Sequence, residues 1–154
     1  MRRESWLATL RSLALVAMVV QPVAAAENNE FTDHSFRGSY ALGIIGTVVS
    51  VGPVAGTGLL TSDGRGSLVG TQTISYGVGP CVLTLAGTYT VHADGTGTGT
   101  VTVTSAVGGP LGTSGNGSNV DFSFVLSGGP GTVDKIKLSE TSTGFAILAQ
   151  GERQ

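Results

Sequence analysis

From Ser39 onward, apolar and polar positions alternate with a period of two, the signature of strands with one buried and one wet face. Tyr40, Leu42 and Ile44 fall on one side of a first strand and Ala41, Gly43 and Ile45 on the other, and the run continues through Val48-Val49 until Gly52-Pro53 breaks it. A second strand is predicted around Ala55 to Thr61 and a third around Ser67 to Ser75. In the fourth, Leu83, Leu85, Gly87, Tyr89 and Val91 share one face, and Thr84, Ala86, Thr88 and Thr90 share the other. Strand five spans Thr98 to Ser105, with Val101 and Val103 alternating with Thr. Strand six sets Val120, Phe122, Phe124 and Leu126 against Asp121 and Ser123, strand seven sets Ile136 and Leu138 against Lys135 and Lys137, and strand eight covers Phe145 to Gln150.

The connections carry their own signals. Asp63-Gly64-Arg65-Gly66 recurs 31 residues later as Asp94-Gly95-Thr96-Gly97, each preceded by a Gly-Thr pair and followed by a Thr at matching distances. Asp-Gly suits a tight hairpin turn, and the glycine that follows can take the left-handed position of a bulge. Gly77 to Pro80, Gly128-Gly129-Pro130-Gly131 and Thr141 to Gly144 read as further turns, and residues 106 to 119 as the longest irregular stretch, a surface loop or a lid over one mouth. Eight strands with mostly short connections predict an all-β fold, a small antiparallel eight-stranded up-and-down barrel, because closure removes both exposed edges. An open sandwich is the alternative architecture. A β-solenoid would need many near-equal repeats, and the repeat here occurs twice. Glycines inside strands, at Gly43, Gly46, Gly70, Gly87 and Gly99, suit a sheet that bends sharply.

The first 26 residues follow a different rule. Arg2, Arg3 and Arg11 precede an apolar run over Ser12 to Val20, and Ala24-Ala25-Ala26 provides small residues before Glu27-Asn28-Asn29. This is the pattern of a secretory signal peptide with cleavage after Ala26, and the run is about half the roughly 20 residues that a membrane span needs. The expectation is a secreted or periplasmic protein, with an aperiodic, mobile arm over residues 27–35 and one barrel domain over 36–154. No stable membrane insertion is expected after cleavage, since outer-membrane strands carry aromatic girdles and this chain has few aromatics and many strand Thr and Ser. After the leader, five basic residues, Arg37, Arg65, Lys135, Lys137 and Arg153, stand against nine acids. A scattered, mildly acidic charge offers no footprint for nucleic acid.

Certain residues then carry a resemblance. Phe36-Arg37-Gly38-Ser39-Tyr40, the Gly-x-Leu-Leu-Thr-Ser-Asp-Gly-x-Gly of residues 58–66, and Leu85-Ala86-Gly87-Thr88-Tyr89-Thr90-Val91 with Ala93-Asp94-Gly95-Thr96-Gly97 resemble the bacterial allene oxide cyclase barrel-like family. The likeness covers Phe36 to about Gly151, and its motifs are turn and strand residues. It implies an eight-stranded barrel whose interior can hold a small apolar ligand. Plant members of the wider group cyclise a fatty-acid epoxide with the help of a carboxylate on the first strand. No acid occurs between Asp33 and Asp63 here, so that carboxylate is not matched. Gly79-Pro80-Cys81-Val82-Leu83 resembles the context of a cysteine in the plant enzymes.

Three residues are candidates to line a ligand site: Tyr40, Cys81 and Tyr89. Cys81, the only cysteine, shares the strand parity of Leu83 and Leu85 and is expected inside the barrel, with burial favoured over a reactive thiol. The tyrosines offer hydroxyls to a ligand or pack as ordinary core aromatics. No catalytic residue, metal site or cofactor is predicted. His34 and His92 are too few for zinc, Asp63 and Asp94 are explained as turn residues, and the Gly-rich segments are not followed by the helix that a phosphate loop requires. The leading expectation is a non-enzymatic binding module for a small apolar or amphipathic molecule. A cyclase or isomerase acting on a hydrophobic substrate and a structural or cell-surface protein with a filled barrel are the alternatives.

Overall fold

The computed structural model describes residues 29–49, 51–76, 79–108 and 117–154. The leader expected over residues 1–26, and most of the predicted lid, lie outside them. Eight antiparallel strands follow one another around a closed barrel: β1 (Gly38–Val48), β2 (Gly52–Ser62), β3 (Ser67–Ser75), β4 (Pro80–Val91), β5 (Thr96–Gly108), β6 (Asn119–Ser127), β7 (Lys135–Glu140) and β8 (Phe145–Arg153). Closure comes from β1 and β8, with Tyr40 opposite Arg153 and Val48 opposite Phe145. Among the described residues every strand is paired with a neighbour on each side, which makes the fold a closed barrel and not a sandwich.

Alternation decides which side chains fill the interior. Tyr40, Leu42 and Ile44 of β1 are buried, whereas Ile45 is 62% exposed. Leu83, Leu85, Tyr89 and Val91 of β4 and Phe122, Phe124 and Leu126 of β6 likewise point inward. Thr88 lies opposite Thr100 and Thr90 opposite Thr98, on the outer face. The interior is thus apolar, while the outer face mixes Thr with exposed Ile45, Leu59, Val69 and Leu148. Among the described residues, no helix is long and apolar enough to cross a membrane.

Two departures from the predicted strands have local causes. Strand β5 runs three residues past the expected Ser105 because a bulge resets its phase. Thr84 pairs with Ser105 but Leu85 with Val103, so Thr104 is the extra residue, and Ala106 is buried although Val103 is three positions before it. The repeated hairpin frame also diverges. Gly64 and Gly66 both take positive φ in the first turn, but in the second only Gly95 of the pair does, and Gly97 belongs to β5. Its missing side chain serves packing instead: a Cβ there would stand 2.7 Å from Cε1 of Phe124. In both turns the Asp carboxylate accepts from the N–H two residues on, Arg65 at 2.7 Å and Thr96 at 2.9 Å.

The arm expected over residues 27–35 is replaced, from Phe31 onward, by a docked segment that corks one barrel end. The Phe31 N–H donates to the Ala93 carbonyl at 3.1 Å, and the Val91 N–H donates to Oδ1 of Asp33 at 2.7 Å. A 3₁₀ turn at Asp33–Phe36 then drives Phe36, fully buried, among the rings of Tyr40, Tyr89 and Phe124, with centroid separations of 5.3, 5.0 and 5.0 Å. The core therefore has two halves. The corked end is packed with aromatics, and the site occupies the other.

Candidate functional site

The interior beyond the aromatic end is not filled. A cavity of about 160 Å³ is walled by side chains from all eight strands, among them Leu42, Ile44, Leu60, Ile74, Leu83, Leu85, Val101, Val103, Phe122, Leu138 and Ile147. Its polar lining is small: Gln72 on β3, Tyr76 just after it, Ser118 just before β6, and Glu140 at the end of β7. Inward glycines contribute to this economy of atoms, since Gly56, Gly58 and Gly70 occupy inward positions on β2 and β3 without adding a side chain.

Glu140 is the chemically exceptional member. It follows Ile136 and Leu138 at the same parity, lies opposite Phe122 of β6, and so brings its carboxyl to an apolar wall. Its Oε1 is sealed from solvent and has no hydrogen-bond partner. Burial pushes the carboxyl up to about 7, because a charge in this setting loses its hydration. Tyr76 is pushed up to about 12, first by burial and then by the nearby Cys81 and Glu140, so its hydroxyl stays protonated throughout the neutral range. A carboxyl that titrates near neutrality inside an apolar cavity can accept a hydrogen bond, pair with a cation or exchange a proton.

The three residues singled out from the sequence sit elsewhere. Tyr40 and Tyr89 belong to the corked end, packed on Phe36, and are not part of the cavity wall. The Tyr89 hydroxyl accepts from Oγ of Ser62 at 2.7 Å and donates to the Asp33 carbonyl at 3.1 Å, which ties the cork to β2 and β4. The Tyr40 hydroxyl is buried without a partner, and burial raises its pKa against the opposing effect of Arg153. Cys81 points inward as its parity requires, fully buried beside Ile74, and outside the cavity wall. Burial pushes its thiol up, away from the thiolate that nucleophilic chemistry needs.

The remaining titratable residues named from the sequence do not converge with these. His92 shares a hydrogen bond with Thr96 at the second hairpin, Asp63 and Asp94 are each engaged within their own turn, and His34 lies in the docked segment. Among the described residues no three His, Cys, Asp or Glu side chains are grouped so as to hold a metal ion. Glu140 and Tyr76 were missed because the predicted strands stopped at Leu138 and Ser75. The signal was present, since each extends its strand's inward parity by one more step, from Ile136 and Leu138 and from Gln72 and Ile74.

No protein-family model matches this chain, and comparison with the curated proteins and with the solved structures returned no match.

Proposed function

We propose that the protein is an exported barrel, similar to the bacterial allene oxide cyclase barrel-like proteins, that holds a small apolar or amphipathic molecule inside the barrel without transforming it. The observation that carries this reading is the cavity of about 160 Å³ with a largely apolar wall. Its volume is comparable to the roughly 150 Å³ engineered apolar cavity that stays dry and binds benzene. Empty space of this size costs packing energy that a filled core would recover, so a barrel selected only as a stable body has reason to close it. The polar groups at the wall are few, as in ligand sites where most contact is apolar and a small number of polar atoms set orientation.

A second reading, a cyclase or isomerase acting on a hydrophobic substrate, is favoured by one observation. The Glu140 carboxyl titrates at about 7, the range suited to general acid and base work. Both readings share the cavity and differ in whether the bound molecule leaves unchanged.

The test is native mass spectrometry of the mature protein purified from the extracytoplasmic fraction of its own host. A reproducible added mass supports the binding reading, and release of that molecule unaltered separates it from catalysis. A clean apo mass, retained after incubation with a lipid and metabolite extract, refutes both.

A further inference from the structure

A carboxyl in an apolar cavity with one oxygen, Oε1 of Glu140, buried and unpartnered is a feature that shape alone does not explain, and a buried unsatisfied oxygen calls for a reason. The surroundings of Glu140 narrow that reason. Phe122 of β6 lies opposite it, Val120, Phe145 and Ile147 share its cavity wall with the neutral Gln72 and Ser118, and the titratable group that feels its charge is Tyr76, which also feels Cys81. None of these supplies a positive charge.

The basic side chains among the described residues are placed elsewhere. Arg153 bonds the Val133 carbonyl at the corked end and Arg37 packs on the turn at Gly64. Arg65 is in that same turn, Lys135 pairs with Glu152 on the outside, and Lys137 is exposed on β7. An anionic ligand would therefore meet a carboxyl and no counter-charge. A cationic one would meet the single group that can pair with it.

Resting on the binding reading, we propose that the ligand is a small apolar amine, with a hydrocarbon body about the size of benzene and one ammonium group seated against the Glu140 carboxylate. Part of the cost of removing this carboxyl from water, that of its sealed Oε1, is already incurred in the free protein. The ammonium then gains an attraction in a low-dielectric site without imposing that desolvation a second time. The body of the ligand contributes through the apolar wall, and the ion pair selects amines over alcohols and acids.

Ionised Glu140 is the competent form. With its carboxyl at about 7, the competent fraction rises from roughly 3% at pH 5.5 to roughly 90% at pH 8, and apparent affinity for an amine that stays protonated over this range rises about thirtyfold. The experiment titrates the mature protein with toluene, benzylamine and benzoate at both pH values, following methyl shifts of cavity-lining Leu, Ile and Val by NMR. Expected are toluene binding of similar strength at both, benzylamine binding about thirtyfold tighter at pH 8, and no benzoate binding. In Glu140→Gln the benzylamine ratio between the two pH values falls to about one.

Benzylamine binding that ignores pH in the wild-type protein, or benzoate binding as strong as benzylamine, overturns the amine assignment while toluene binding leaves the cavity reading standing. Silence from toluene and benzylamine alike overturns both. The wild-type titrations decide this even if the variant fails to fold.

Discussion

Replacing Glu140 by glutamine removes one ionisable group while keeping its shape, and the structure sets how stability should respond to pH. The carboxyl sits at about 7 in the folded protein against an ordinary value of 4.5, because burial disfavours its charge. Between those two values the native state holds a proton that the unfolded chain has released. Stability therefore falls as pH rises through this window and levels off above it. The full interval of about 2.5 units, at about 1.4 kcal/mol per unit, sets a ceiling of about 3.5 kcal/mol. Glu140 is only partly enclosed, so solvent screening reduces the expected figure to about 1–2 kcal/mol.

The margin by which Glu140→Gln exceeds the wild-type protein should widen by about 1–2 kcal/mol between pH 5 and pH 9, which for a domain of this size is roughly 3–10 °C in Tm. The assay is urea unfolding of both proteins followed by circular dichroism at unit steps from pH 5 to 9. Comparing two proteins cancels every other titrating group. A stability difference that stays constant across this range would refute the placement of an uncompensated carboxyl in the cavity.

Four other outcomes follow from the packing. Phe36→Ala uncorks the aromatic end and should cost about 3–5 kcal/mol in urea unfolding, as for other buried aromatic truncations. Gly97→Ala places a methyl group against the Phe124 ring and the Thr90 carbonyl and should lose about 1–3 kcal/mol by the same measurement. Cys81 should react with a thiol reagent at pH 8 only as fast as the protein opens, since its thiol is fully buried and shifted up; rapid stoichiometric labelling of the native protein would contradict that. Asp63 and Asp94 are held below the usual carboxylate range by hydrogen bonds in their turns, from backbone N–H groups at Asp63 and chiefly from the Thr96 hydroxyl at Asp94. Their stabilising effect should be present above the unfolded carboxylate range and lost as pH falls through their folded values, and a double Asn variant should flatten that acid limb.

Much of the barrel was legible because a strand writes its two faces into alternate residues. Leu83 through Val91 and Val120 through Leu126 needed no more than that pattern, and Asp63-Gly64 and Asp94-Gly95 located two of the connections. The pattern failed where one residue was added or one contact was non-local. Thr104 is an extra residue of β5 against β4, so the alternation breaks there although the strand runs on to Gly108. Phe36 follows an aperiodic stretch and gives no period-two signal ahead of it, yet it is the plug, since its partners Tyr89 and Phe124 are distant in sequence.

The site divides the same way. Alternation already assigns Glu140 to the face of Ile136 and Leu138, and Tyr76 to that of Gln72 and Ile74, because side-chain direction in a strand is a local property of the backbone. Whether that face borders a packed core or open space is set by closure, by the pairing of β1 with β8, and by which end the aromatic rings occupy. Those depend on residues more than a hundred positions apart. The chain by itself thus determined which side chains point inward, and only the tertiary structure decided that Tyr40 and Tyr89 fill one end while a lone carboxyl faces the cavity at the other.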